Sequence, residues 1–278
     1  MPERNALEAC KVFQLNLPSI RGRGLPGGHV GTAAGSSVEF LDFRDYLPGD
    51  DLRHVDWSVY GRTGDMVVRL WREETQPELD VLLDVSRSMG LPDGMKGEVA
   101  SDISRFIVHG ARLLGVRSRL HLVDTSMASA SVSSKIEYHG SDSLLFDAPQ
   151  RCTETLVTGG VRWLVTDFMS GKPPAACIRE LARSAAQLVV IMVLGPWEAM
   201  PECSHAATLV DSETGERLPL HLSTAACARY QRRLSALYND VQRACRSVGA
   251  PHVRVVADRP LLQVLGRDLL PARMVRPA

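Results

Sequence analysis

Neither sign of charge is in excess in this 278-residue chain, where 32 Lys and Arg stand against 32 Asp and Glu. No molecule-wide field draws it to nucleic acid or anionic lipid, so neither is an expected partner. Long apolar runs are missing too. The strongest, Leu188 to Leu194, spans seven residues, whereas crossing a bilayer takes roughly 20; no membrane insertion is expected. The six cysteines, at 10, 152, 177, 203, 227 and 245, never form a C-x-x-C pair, the spacing that zinc and redox sites favour. They are read as reduced and mostly buried. Glu3, Arg4 and Glu8 interrupt the start of the chain where an export signal needs an apolar stretch, and a cytoplasmic location is expected.

Several catalytic signatures are absent as well. Arg21-Gly-Arg-Gly24 lacks the lysine and hydroxyl ending of a phosphate-binding loop and reads as linker. No glycine fingerprint for a dinucleotide follows the first strand of the large domain. There is no G-x-S-x-G elbow, and none of the eight histidines is placed by sequence beside a nucleophile. No internal repeat or low-complexity tract is found.

What is present is the composition of an ordinary folded protein, 45% hydrophobic and 23% charged, with length for one large α/β domain and a smaller attachment. Glycine and proline make residues 1–35 a loop-rich N-terminal segment. Apolar stretches at Val38 to Phe43 and Met66 to Trp71, separated by Pro48-Gly-Asp-Asp51, predict a small β-rich subdomain over 36–78. From Leu79 the pattern changes. Val81-Leu-Leu83 between two aspartates reads as a buried parallel strand, and Ile103, Phe106, Ile107, Gly110, Leu113 and Leu114 predict a first crossover helix stopped by Gly115.

Further strands are predicted at 119–123, 135–138, 163–166, 188–194 and 252–256. Helices are predicted near 175–187, 223–248 and 260–269. The alternation implies an α/β fold, a doubly wound and mainly parallel Rossmann-like sheet over 79–278. A β-hairpin insertion is expected near 206–222, around Asp211-Ser-Glu-Thr-Gly215.

The sharpest motif is Asp84-Val-Ser86-Arg-Ser88, at the expected end of the first strand of the large domain. In open α/β sheets ligands gather beyond the carboxyl ends of the strands. Alternate residues of a tight loop there can turn one carboxylate and two hydroxyls to a common point. Such hard oxygen donors suit magnesium, with manganese as the other ion accepted. Few negative charges surround such an ion, so it would keep positive charge for an acidic group offered by another protein. Asp167, ending Trp163-Leu-Val-Thr166, supplies a second acid from a later strand. The competing reading makes Asp84 and Ser86 caps of the following helix.

These residues, with Glu39-Phe40, Arg44-Asp-Tyr46, Pro48-Gly-Asp-Asp51, Arg53, Asp56-Trp57, Arg62, Val67-Val-Arg69, Asp211-x-Glu213-Thr-Gly-Glu216 and Tyr230, resemble the bacterial family called domain of unknown function fifty-eight. The resemblance covers roughly residues 25 to 270. It implies a von Willebrand factor A-like domain with a metal-ion-dependent adhesion site at Asp84, Ser86, Ser88 and Asp167. It also implies pairing with a MoxR-type AAA+ ATPase in protein assembly or remodelling. The family of A-like domains adds a threonine from a middle loop. Here 140–160 is short and irregular, leaving Ser141, Thr153 and Thr155 as candidates.

The expected function is therefore a non-enzymatic, cation-dependent protein-binding module. One alternative is a metal-independent scaffold with a decayed site. Another is a magnesium-dependent phosphohydrolase with Asp84 as nucleophile, against which Ser86 stands where a second acid would serve, with no lysine evident for phosphate. The charges at Arg44, Asp50, Asp51, Arg53 and Asp56 read as a second binding surface or as groups that satisfy one another. Trp57 and Trp71 read as packing anchors.

Overall fold

The computed structural model describes residues 2–17, 38–73, 78–90, 95–139, 144–203, 206–211 and 215–278. Two compact units form, one from Met1–Pro18 with Pro77–Ala278, the other from Ser19–Gln76.

The large unit begins with helix α1 (Pro2–Ala9) and strand β1 (Phe13–Leu15). This departs from the loop-rich expectation for 1–35, whose glycines begin only at 22; residues 18–35 lie outside the described residues. Two small side chains one turn apart, Ala6 and Ala9, are fully buried. They let α1 lie close to its neighbour, and Asn5 donates to Asp102 at 2.9 Å.

The small unit pairs β2 (Val38–Asp45) antiparallel with β3 (Val67–Glu73), with a register shift between Phe40 and Asp42. Both strands fall where the sequence predicts them. Between them lie a 3-10 turn (Leu52–His54) and helix α2 (Trp57–Thr63). Asp56 caps α2 by accepting from Ser58 and Val59 amides, and also accepts from Arg69 Nε at 2.8 Å. Arg69, with the two cap amides, holds its carboxyl down at about 2. Arg44 binds Asp50 through two nitrogens, and Arg53 binds Asp51. These charges satisfy one another. Trp57 differs from its expected anchoring role, being 56% exposed with its ring edge-on to Tyr60; the Trp71 side chain lies outside the description.

The large unit resumes at β4 (Leu79–Asp84) and a 3-10 turn (Arg87–Gly90), then α3 (Met95–Leu113), β5 (Ser118–Val123) and β6 (Met127–Ala130). Short helices α4 (Leu144–Asp147) and α5 (Pro149–Thr153) lead to β7 (Val161–Thr166), α6 (Pro174–Ala182) and β8 (Gln187–Leu194). After α7 (Pro196–Ala199) come the hairpin β9 (Ala206–Val210) and β10 (Arg217–His221), the long α8 (Thr224–Ser247) and β11 (His252–Val256). Helix α9 (Leu261–Val264) runs into a π-helical turn (Leu265–Leu269), and β12 (Val275–Pro277) pairs antiparallel with β1.

Six strands form one sheet in the order β11-β8-β7-β4-β5-β6. All neighbours are parallel except β5 and β6. Every residue of β4 and β7 is buried, which is why these runs lack alternation. From β4 the chain winds one way through α3 to β5; from β7 it winds the other way through α6 and α8. Right-handed crossovers then put α3 on one face and α6 and α8 on the other. Leu164, Val190 and Met192 pack with Ile178, Leu181, Leu234 and Val241 in one core cluster. The winding reverses between β4 and β7, the position where open sheets leave a crevice at their carboxyl ends.

Lys135 to Tyr138 form no strand; the sheet edge beyond β5 is β6. Tyr138 is instead pinned across α3, donating to the Gly97 carbonyl at 2.7 Å and meeting Ser101 Oγ at 2.7 Å. The hairpin at 206–222 forms as expected. Cys203 and Cys227 are joined as a disulfide, correcting the all-reduced reading: the chain brings the start of α8 back to the entry of the hairpin. Cys10, Cys152, Cys177 and Cys245 are free and buried. Among the described residues no helix is long and apolar enough to cross a membrane.

Candidate metal centre

Asp84 is the last residue of β4, at the carboxyl edge and beside the winding reversal. Its Oδ1 accepts the Ser86 amide at 3.0 Å, a local turn that bends the chain off the strand. Its Oδ2 accepts the Thr166 hydroxyl at 2.6 Å, from the last residue of the neighbouring β7. The Ser86 and Ser88 hydroxyls lie 3.2 Å apart, and the fully buried Met89 anchors their turn. Helix α3 begins only at Met95, so the motif does not simply cap it.

Asp167 follows Thr166 directly. Its Oδ1 accepts the Met169 amide at 2.8 Å and its Oδ2 accepts Lys96 Nζ at 2.7 Å. Between these, Phe168 holds φ at 59°, a left-handed conformation costly for a bulky residue. Its ring is buried, edge-on to Phe146 at 5.8 Å, and that packing holds the turn that aims Asp167.

The sequence reading finds no lysine here, but Lys96, in the first turn of α3, is fully buried at the centre. Its ammonium donates to Ser88 O at 2.8 Å, to Asp167 Oδ2 and to Glu198 Oε1 at 2.8 Å. Glu198 in turn accepts the Gly195 amide at 2.7 Å, and its own carbonyl accepts the Tyr230 hydroxyl at 2.8 Å. The four expected residues therefore gather around two adjacent strand ends, with Thr166, Lys96 and Glu198 added. One sequence signal bears on Lys96: only four of the 32 basic residues are lysines, and a compact ammonium suits a tight pocket of oxygens better than a guanidinium.

Of the expected middle-loop hydroxyls, neither Thr153 nor Thr155 is among them. Thr153 donates to the Gln150 carbonyl at 2.8 Å and meets Glu180 Oε1 at 3.3 Å, while Thr155 donates to the Cys152 carbonyl at 3.0 Å and meets Met127 Sδ at 3.8 Å. Ser141 lies outside the described residues.

Asp84, Ser86 and Asp167 are buried, and Ser88 is partly exposed. Burial, with the Asp167 charge behind it, pushes the Asp84 carboxyl up to about 6 against the hydrogen bonds from Thr166 and Ser86. Burial alone would lower Lys96, but Asp167 and Glu198 outweigh it and raise the ammonium. Glu198 is raised, its burial outweighing the pull of Lys96. Three carboxylates and one ammonium leave two negative charges in excess. Among the described residues no three His, Cys, Asp or Glu side chains gather as a cage; here much of the oxygen is hydroxyl. Asp84 with two serine hydroxyls is a hard-oxygen set of the kind magnesium and manganese take alongside water. Both Asp167 oxygens already accept hydrogen bonds, which suits it to the rim of such a set.

Residues 42–239 match the family model described as "Protein of unknown function DUF58". The chain is 26% identical over 279 residues to the uncharacterized protein Rv1480 of Mycobacterium tuberculosis (strain ATCC 25618 / H37Rv), covering 91% of this chain and 86% of the relative. The same values hold for the uncharacterized protein Mb1516 of Mycobacterium bovis. Among solved structures it is similar to proximal thread matrix protein 1 from the mussel byssus, with TM-score 0.33, 14% identity and 60% of this chain covered. The match spans 47% of that mussel chain, about half its length. A structure of the mussel protein with a zinc-occupied MIDAS motif matches at TM-score 0.32 and 17% identity, over 43% of this chain and 38% of that one. The conserved hypothetical protein BatB from Bacteroides thetaiotaomicron matches at TM-score 0.28 and 12% identity, over 61% of this chain and 99% of that one.

Proposed function

The chain belongs to the DUF58 family, and from that premise we propose that it is a non-enzymatic protein-binding module with a lead-in subdomain at 36–78 and a von Willebrand factor A-like domain at 79–278. Asp84, Ser86 and Ser88, with Asp167 beside them, hold one divalent cation, magnesium or manganese. When bound, the ion supplies positive charge with a coordination position open to a partner's carboxylate. The partner is a protein offering an acidic side chain, and a MoxR-type AAA+ ATPase is the machine it serves. Nucleic acid is not a partner. The cytoplasm is the proposed compartment, which suits the four free cysteines; the Cys203–Cys227 pair is the exception to a reducing environment.

The observation that carries this reading is the convergence of one carboxylate and two hydroxyls at the carboxyl edge, beside the winding reversal, with a second acid on the adjacent strand end. Each local group has a role toward the ion. Thr166 fixes the Asp84 carboxylate, and the Met169 amide fixes Asp167. Trp197 and Met200, 41% and 79% exposed on either side of Glu198, offer apolar contacts around an incoming acidic group.

One observation favours the scaffold reading: Lys96 already neutralises part of the cluster. The phosphohydrolase reading gains little from that lysine. All three of its hydrogens meet protein oxygens, which leaves none for a phosphate. Capture of a MoxR-type ATPase by the full chain, with magnesium and with chelator, separates the readings. Capture lost in chelator and in Asp84→Ala supports cation-dependent binding; capture indifferent to both favours the scaffold.

A further inference from the structure

Among the described residues, Lys96 differs from the other fully buried cation, Arg162. Arg162 donates to the Leu181, Arg183 and Val157 carbonyls and the Ser184 hydroxyl, the pattern of a group that ties backbone together. Lys96 instead meets oxygens from three segments that leave three different strands: Ser88 after β4, Asp167 after β7 and Glu198 after β8. Two of the three are carboxylates, and the lysine side chain is 0% exposed. No hydrogen remains for a ligand, so the ammonium acts inward.

We infer that Lys96 is a tethered cation built into the centre, holding and partly neutralising its acids before any divalent ion arrives and setting how tightly that ion binds. This rests on the reading of the centre as a cation site. Lys96 offsets the charge of one of its two carboxylate partners, Asp167 or Glu198, so that less negative charge faces the ion and part of the ion's own charge is left for a partner. Without it, Asp167 and Glu198 lose the cation they share while Asp84 stays beside Asp167, and removing a nearby like charge strengthens the hold on the incoming ion. Across a few ångströms, even with water-like screening, that change amounts to about tenfold in affinity or more. The fold of a chain without Lys96 then depends on the ion, because buried carboxylates without a counter-charge are costly.

The test uses the full chain, Mn2+ alone as probe, calorimetry for affinity and thermal unfolding with and without chelator. Lys96→Met is expected to bind Mn2+ at least about tenfold tighter than wild type, to melt lower in chelator, and to recover when Mn2+ is added. Wild type changes less between the two conditions. Mn2+ affinity unchanged or weakened in the variant, or a melting loss that Mn2+ does not restore, overturns the inference while leaving the cation site standing. Binding by the variant alone means that Lys96 takes the ion's place in the native chain, which overturns both the native cation site and the inference that rests on it. No binding by either protein removes both. Should Lys96→Met fail to fold, Glu198→Gln serves: with one acid neutralised and Lys96 kept, Mn2+ affinity should fall about tenfold, and an unchanged value counts against the inference.

Discussion

Gly97→Ala is expected to destabilise the protein, although alanine is the better helix former. Gly97 lies in the first turn of α3, where replacement by alanine alone gains up to about 1 kcal/mol. A Cβ at this position, however, would stand 2.7 Å from Tyr138 Cε2, 3.1 Å from its Cδ2 and 3.2 Å from the Met89 carbonyl. The ring has no easy retreat, because its hydroxyl is bound to the Gly97 carbonyl and to Ser101 Oγ. Overpacking of this kind costs about 1–3 kcal/mol, so with the full helix gain subtracted the net loss should be up to about 2 kcal/mol.

The consequence reaches the candidate centre. The missing side chain lets α3 approach the turn carrying Ser88 closely enough for Lys96 to reach its carbonyl. Urea unfolding of Gly97→Ala in the wild-type and Tyr138→Ala backgrounds isolates the clash: the substitution should destabilise the first and stabilise the second by up to about 1 kcal/mol. A stabilising effect in the wild-type background, or an equal loss in both, would refute the reasoning.

Asp80, fully buried in β4, meets His121 Nε2 at 2.9 Å, Arg119 Nε at 3.0 Å and the Val157 amide at 3.2 Å. Burial alone would raise its carboxyl, but these partners, His121 foremost, leave it lowered. A depressed folded-state value means stability present above the unfolded value, about 3.9, and lost as pH falls through the folded one; Asp80→Asn should therefore flatten the acid limb of the stability curve below about pH 4. Thiol titration of the denatured chain should find four free cysteines without reductant and six with it, because Cys203 and Cys227 are paired; six in both conditions would deny the pairing.

Much of the sheet is legible in the sequence because buried parallel strands announce themselves locally. Val81-Leu-Leu83 and Leu188 to Leu194 are uninterrupted apolar runs, and β4 and β8 lie there. The Asp84, Ser86, Ser88 triplet is legible for the same reason, since its geometry belongs to one turn. Asp167 can be reached by reasoning about strand ends. Lys96, Glu198 and Thr166 cannot, because what joins them is the lateral order of strands: Thr166 meets Asp84 only because β7 is placed beside β4. Tyr138 misleads by composition, since a tyrosine in Lys135-Ile-Glu-Tyr138 looks strand-like while its hydroxyl is claimed by α3. At the N-terminus, the glycines beyond residue 21 hide two alanines one turn apart that suffice for a short packed helix.

A crystal of the wild-type chain soaked in Mn2+, with anomalous scattering recorded, addresses the central claim most directly. One peak is expected within about 2.1 Å of an Asp84 carboxylate oxygen and of the Ser86 and Ser88 hydroxyls, with Asp167 alongside and Lys96 still bound to Glu198. Saturating Mn2+ that leaves no peak beside those three side chains would contradict the account.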